Sequence, residues 1–154
     1  MFDVEGHFPR FAGDLYLDTQ QPGRSHIDVS VDAASIEMPL PEQVELLRSD
    51  GYFDTIHHPT ERFFSTSVEA LSPTRYRIHG MLQLRGVTKS QDLDAELTGR
   101  RLDADRRTEV ADFHVSGRVS RSAFGMVADQ RLVSDTIRLD IRIRLTVGLA
   151  TNSE

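Results

Sequence analysis

The run TIRLDIRIRLTVG, residues 136–148, constrains this chain more than any other stretch. Ile137, Leu139, Ile141, Ile143, Leu145 and Val147 alternate without a break with Thr136, Arg138, Asp140, Arg142, Arg144 and Thr146. Successive side chains on a strand point to opposite faces, so this segment is a strand with one apolar and one polar face. A one-residue slip would expose the whole apolar set, so the pattern also fixes the register of pairing.

The same period recurs along the chain. Residues 11–18 put Phe11, Leu15 and Leu17 on one face. Residues 25–32 put Ile27, Val29 and Val31 inward, with His26, Asp28, Ser30 and Asp32 outward. Residues 75–85 set Tyr76, Ile78, Leu82 and Leu84 against Arg75, Arg77, His79, Gln83 and Arg85. Residues 90–101 set Leu93, Ala95 and Leu97 against Asp92, Asp94 and Glu96. Residues 110–120 set Phe113, Val115 and Val119 against His114, Ser116 and Arg118. The run ERFFSTSVEAL, 61–71, is strand-like, but Phe63 and Phe64 face opposite ways, and a bulge near Ser65 and Thr66 would reconcile them. TQQPGR and SPT are turn sequences, and LDADRRTE, 102–109, is a charged loop. One helix is expected around 40–50, after Pro41, with Val44 and Leu47 on one side and Leu46 beside them. A second short helical turn is expected after Arg121, near SAFGM.

The expectation is one all-β domain over residues 1–154, with seven antiparallel strands and one short inserted helix. Strands with a single apolar face either pack on a second sheet or close on themselves, so a sandwich and a barrel both fit. Closure removes exposed edges. The length suits one domain with a substantial core. The formal net charge of −6, with Lys89 the only lysine, disfavours nucleic acid and anionic membrane surfaces as partners. There are no cysteines, which excludes disulfides, thiolate catalysis and cysteine-bound zinc. MFDVEGHFPRF does not read as a signal peptide, and no apolar run approaches the ~20 residues of a membrane span. Cytoplasmic location is the resulting expectation.

DTIHHPTE, residues 54–61, raises the question of a metal site formed by Asp54, His57, His58 and Glu61. Adjacent histidines on a strand point to opposite faces, and Pro59 opposes a helix that could space them for ligation. The segment reads instead as a solvated loop leading into an extended strand. His26, His79 and His114 lie on polar faces of three strands and would converge only if those strands were neighbours. No GxSxG, Walker-type or GxGxxG motif is present. The expectation is no enzyme, no catalytic residue, no metal and no cofactor.

Six blocks resemble a known family. They are GHFPRFAGDLYLD (6–18), VDAASIEM (31–38), LLRSDGYFD (46–54), HPTERFFSTSVEAL (58–71), YRIHGMLQLRGVTKSQDLDAEL (76–97) and VSRSAFGM (119–126), with LRGVTK at 84–89 and VSRSAFGM the most specific. In order and spacing they resemble the YceI-like family of polyisoprenoid-binding, lipocalin-like proteins. The resemblance implies an eight-stranded antiparallel barrel with an elongated apolar cavity that holds a long isoprenoid chain, as in an isoprenoid quinone. It implies no catalytic residues. Relatives begin with a strand of pattern W-x-x-D-x-x-H-S-x-x-x-F, which is missing here. A truncated start, a gap in the barrel, or a second chain filling it would each account for seven strands instead of eight. Where relatives carry R-D-x-H-L-R-S, this chain has Gln43, Val44, Glu45, Leu46, Leu47, Arg48 and Ser49, and Ala123 replaces a common Asp.

A barrel of this size is either filled by side chains or holds one small ligand, and periodicity leaves both open. Phe53, Phe63, Phe64, Phe113 and Phe124 are core candidates in either case. The resemblance favours a long-chain isoprenoid or similar lipid, bound by removing apolar surface from water at ~25 cal/mol per Å². The expected lining is Phe11, Leu15, Leu17, Ile27, Val29, Val31, Phe63, Tyr76, Ile78, Leu82, Leu84, Leu93, Leu97, Phe113, Val115, Leu139 and Ile141, with Leu46, Leu47 and Phe53 as a lid. Arg48 and Arg85 are candidates for polar contacts at a mouth, with surface salt bridges as their ordinary role. The alternative is a filled interaction barrel that acts through a homodimer or a protein partner.

Overall fold

Each alternating segment becomes a strand, and each strand pairs with the next in sequence. The computed structural model describes residues 8, 10–18, 20–103, 108–129 and 131–148. β1 is Phe11–Tyr16, β2 His26–Asp32, β3 Thr60–Ser72 and β4 Arg75–Leu84. β5 is Val87–Asp103, β6 Thr108–Ser120 and β7 Thr136–Gly148. They form one antiparallel sheet in the order β1-β2-β3-β4-β5-β6-β7. One continuous sheet removes the sandwich alternative, and the sheet curls into a half-barrel. Among the described residues β1 and β7 each pair on one side only, so the wall is open between them.

The bulge falls where the two phenylalanines require it. Ser65 pairs with Gly80 and Ser67 with His79, leaving Thr66 as the extra residue. Phe63 before the bulge and Val68 after it therefore both face inward, although one number is odd and the other even. Phe64 does not join the core. It faces out, half-buried, with the Arg62 guanidinium 4.5 Å above its ring. Two further register shifts, between Ala70 and Ser72 and between Leu97 and Gly99, have no counterpart in the simple alternation. The expected loop at 102–109 is shorter than its composition suggests. Leu102 pairs with Glu109 and Asp103 with Thr108, and residues 104–107 lie outside the described ones.

The β4–β5 turn is made by Arg85 and Gly86, both at positive φ (53° and 74°). That geometry matches the right-handed twist of the two strands. An arginine is an unusual choice there, and its side chain is anchored: it donates to the Gly125 carbonyl and, at 2.8 Å, to the Asp50 carbonyl. The outer face carries cross-strand ion pairs, including Arg62–Asp28 at 2.6 Å, Arg77–Asp94 at 3.1 Å and Arg144–Asp112 at 2.7 Å.

Two apolar clusters lie inside. The wall cluster is Val68, Tyr76, Ile78, Leu93, Ala95, Ala111, Phe113 and Val115, from β3 to β6. The cap cluster is Ile36, Tyr52, Phe53, Leu84, Val119, Phe124 and Met126. Leu139 packs against both. Helix α1, Pro41–Arg48, lies over the cap through Val44 and Leu47. It starts at a proline, whose missing N–H costs nothing at that position. Gln43 Oε1 accepts from the Leu40 N–H at 3.2 Å. The expected second helical turn is a 3₁₀ turn at Ser122–Phe124, closed by Gly125 at φ 77°.

Candidate functional site

The inner face of the sheet is apolar and graded in exposure. Tyr76, Ile78, Leu84, Leu93, Phe113 and Val115, on the central strands β4, β5 and β6, are buried. Leu15, Leu17, Ile27, Val29, Val31, Phe63, Leu82, Leu97 and Leu139 are half-buried, and most of them lie toward the β1 and β7 edges. Ile141 pairs with buried Val115, which puts it on the inner face, yet it is 41% exposed. The cause is its place on the edge strand, with no neighbour on the far side among the described residues. The side-chain placements of Phe11, Leu145 and Val147 fall outside the described residues. Leu47 and Phe53 belong to the cap, whereas Leu46 is 49% exposed. Helical spacing puts Val44 and Leu47, three residues apart, on the packed side and turns Leu46 away.

Arginines build the cap by donating to backbone carbonyls. Arg48, half-buried, donates to the Ala34 carbonyl at 2.6 and 3.1 Å and forms an ion pair with Glu45 at 4.0 Å. Arg85 ties the β4–β5 turn to two other loops, as described above. Arg48 thus adds carbonyl contacts to the expected surface ion pair with Glu45, whereas Arg85 binds carbonyls. Arg121, buried, donates to the carbonyls of Ser134, Ala128 and Val133 at 2.9, 3.0 and 3.3 Å. The Tyr52 hydroxyl donates to Asp129 Oδ2 at 2.6 Å. Burial first, then that hydrogen bond, pushes the Tyr52 phenol up to about 12. The role of Arg121 is not readable from residue types, because its acceptors are main-chain atoms that every residue carries.

An open cleft of about 840 Å³ lies beside the cap, lined by Arg10, Asp32, Ala34, Ser35, Ile36, Glu37, Glu45, Arg48, Ser49, Thr55 and Ile56. Its rim is polar. None of the expected lining residues borders it, whereas Arg48 does. A smaller cleft, about 310 Å³, includes Tyr76 and otherwise mostly polar outer residues.

In DTIHHPTE both histidines approach Asp54, and Glu61 does not join them. His57 Nδ1 is 2.8 Å from Asp54 Oδ1, and His58 Nε2 is 3.9 Å from Asp54 Oδ2. His57, first by its hydrogen bond, holds the Asp54 carboxyl below the usual carboxylate range. His58 lies against the turn, since a Cβ on Gly86 would come within 2.9 Å of its ring. Glu61 goes elsewhere. It pairs with Val31 and shares the parity of Phe63, so it points to the inner face, 8% exposed. Its Oε1 has no hydrogen-bond partner among the described residues, and burial raises its carboxyl to about 8. In the sequence Glu61 both ends the polar run DTIHHPTE and opens the strand-like run 61–71, which leaves its face open. Its spacing of two from Phe63, ahead of the bulge, was the available signal. His26, His79 and His114 remain apart, on β2, β4 and β6, which are not neighbours. Among the described residues, no group of three or more His, Asp or Glu could hold a metal ion.

The chain matches the model of the YceI-like domain over residues 1–145. It belongs to the YceI-like domain family. A UPF0312 protein of Photorhabdus laumondii is 35% identical to this YceI-like chain over 124 residues, covering 80% of this chain and 64% of that protein. Protein YceI of Escherichia coli O157:H7 is 29% identical over 138 residues, covering 90% and 71%. The chain thus spans 64% to 71% of the length of these relatives. The crystal structure of the Campylobacter jejuni YceI protein superimposes with a TM-score of 0.86 at 24% identity, covering 95% of this chain and 86% of that one. A polyisoprenoid binding domain from Saccharophagus degradans superimposes with a TM-score of 0.60 at 13% identity, covering 93% and 84%. At these identities the two structures establish a shared YceI-type fold.

Proposed function

We propose that the inner face of the half-barrel binds a long-chain isoprenoid or isoprenoid-quinone-like amphiphile without catalysing a reaction. The observation that carries this reading is the gradient along the inner face. Side chains are buried at the centre of the sheet, half-buried toward both edges at Leu15, Ile27, Val31 and Leu139, and exposed at Ile141. An apolar surface left partly in water is what a long apolar chain would cover, and each 100 Å² covered contributes about 2.5 kcal/mol. The shared fold with a domain described as polyisoprenoid binding supports the same ligand class. Native mass spectrometry after gentle purification should detect a co-purifying lipid mass. Absence of such a mass, together with no uptake of a long-chain quinone in a fluorescence titration, would reject the reading.

Among the described residues β1 and β7 each pair on one side only, which favours a second reading, in which an added strand from a protein partner or a second copy completes the wall. Under that reading the chain purifies as a dimer or complex and takes up no quinone.

A further inference from the structure

Among the described residues Glu61 is an acid that points to the inner face with no partner for its carboxyl, unlike Glu109, which pairs with Arg100. The sheet places it between Val31 and Phe63, and it is 8% exposed. No ion pair or hydrogen bond reaches it among the described residues, and Oε1 is enclosed without a partner. Burying an unpaired polar group costs about 1–3 kcal/mol, more for a charge. An apolar residue here would serve the fold better, so the acid serves something the folded chain does not supply.

Resting on the groove-binding reading above, we infer that Glu61 determines specificity for a ligand with a neutral oxygen head group, its carboxyl hydrogen-bonding a hydroxyl or carbonyl oxygen. A pure hydrocarbon leaves this carboxyl unpaired, and an oxygen-bearing ligand completes it. The carboxyl is raised to about 8 by burial, so near neutral pH it is protonated and can both donate and accept. No arginine, lysine or histidine is paired with it among the described residues, so an anionic head group would find no countercharge from Glu61. A site built to hydrogen-bond an oxygen rejects the analogue lacking it, because its own group is then stranded.

The test uses the full chain with two probes, geranylgeraniol and the same isoprenoid chain lacking its hydroxyl, each displacing a fluorescent fatty probe. The alcohol-to-hydrocarbon affinity ratio should fall about tenfold in Glu61→Leu, the equivalent of one hydrogen bond. Binding of the hydrocarbon by Glu61→Leu should be unchanged or tighter. Glu61→Gln, neutral and still a donor and an acceptor, should retain most of the wild-type ratio. An unchanged ratio in Glu61→Leu overturns the role of Glu61 while leaving groove binding intact. Failure of both probes to displace the reporter from the wild-type protein overturns groove binding, and the inference with it.

Discussion

The Arg121 guanidinium lies over the Tyr52 ring, 5.5 Å from its centre, and joins the segment after α1 to the segment before β7. Around this contact, Arg121 donates to three backbone carbonyls and Tyr52 donates to Asp129. Arg121 is 3% exposed, so water cannot replace those bonds if the side chain is lost. Arg121→Met fills much of the volume and leaves the carbonyls unpaired. It should destabilise the fold by about 3 kcal/mol, and Tyr52→Phe, which removes one bond, by about 1 kcal/mol. Urea unfolding of the two variants checks this. A smaller loss for Arg121→Met than for Tyr52→Phe would remove the carbonyl network as the source of cap stability.

His79 sits between two carboxylates from neighbouring strands. Its Nε2 is 2.9 Å from Glu69 Oε1 and its Nδ1 is 2.8 Å from Asp92 Oδ1. Only the imidazolium can donate to both, and these bonds, Glu69 first, raise its pKa above the ordinary 6.5. The folded state therefore holds this proton more tightly than the unfolded chain. Its contribution to stability is complete below the ordinary histidine range and is lost as pH rises through the higher folded value. An NMR titration should place the His79 midpoint above that of a free histidine, and Glu69→Gln should bring it down. A wild-type midpoint at or below the free value contradicts the bridging geometry.

The strands were legible because the chain writes its two-residue period plainly, from Ile27–Val29–Val31 to Ile137–Leu139–Ile141. The bulge was legible too, since Phe63 and Val68 cannot share a face without an inserted residue. Phe64 shows the limit of that reading, because a half-buried outer position beneath Arg62 satisfies a phenylalanine as well as the core does. The cap was less legible. Arg48, Arg85 and Arg121 bind main-chain carbonyls, and a carbonyl acceptor leaves no mark on residue type. Glu61 was only partly legible, because it opens the strand-like run 61–71 yet ends the polar run DTIHHPTE, and its inward face follows only from the ladder that begins at Thr60.

Gly80 faces Ser65 across the bulge. A Cβ there would lie 2.5 Å from Phe63 Cζ and 2.5 Å from the Phe64 carbonyl oxygen. The ring could turn aside, but the carbonyl belongs to the strand itself, so β3 and β4 would have to separate. Gly80→Ala should therefore destabilise by about 1–3 kcal/mol, the usual cost of overpacking. At Gly23 a Cβ meets nothing within 4 Å, so Gly23→Ala serves as the control and should leave the melting temperature nearly unchanged. Equal melting temperatures for the two variants would mean that the bulge absorbs the added methyl.

The buried carboxyl of Glu61 makes a pH prediction with a definite sign. Its pKa is raised from 4.5 to about 8 by burial, the reverse of the usual effect on a paired carboxylate. Between those values the folded chain keeps a proton that the unfolded chain has released. Stability rises with pH only where the unfolded state binds more protons, so here it falls as pH climbs through the window and levels off above it. The full fall is at most about 5 kcal/mol, reached only if the site stays dry. Glu61→Gln binds no proton in either state and loses this slope. The variant should be more stable than wild type at about pH 8 and above, and the two curves should converge as pH falls toward 4.5. His79 and the surface carboxylates titrate in both proteins, so their contributions cancel in the difference. Urea unfolding of both proteins from about pH 5 to about pH 9 measures it. Parallel curves across that range would show that Glu61 ionises normally and that its environment is wetter than the inner-face packing indicates.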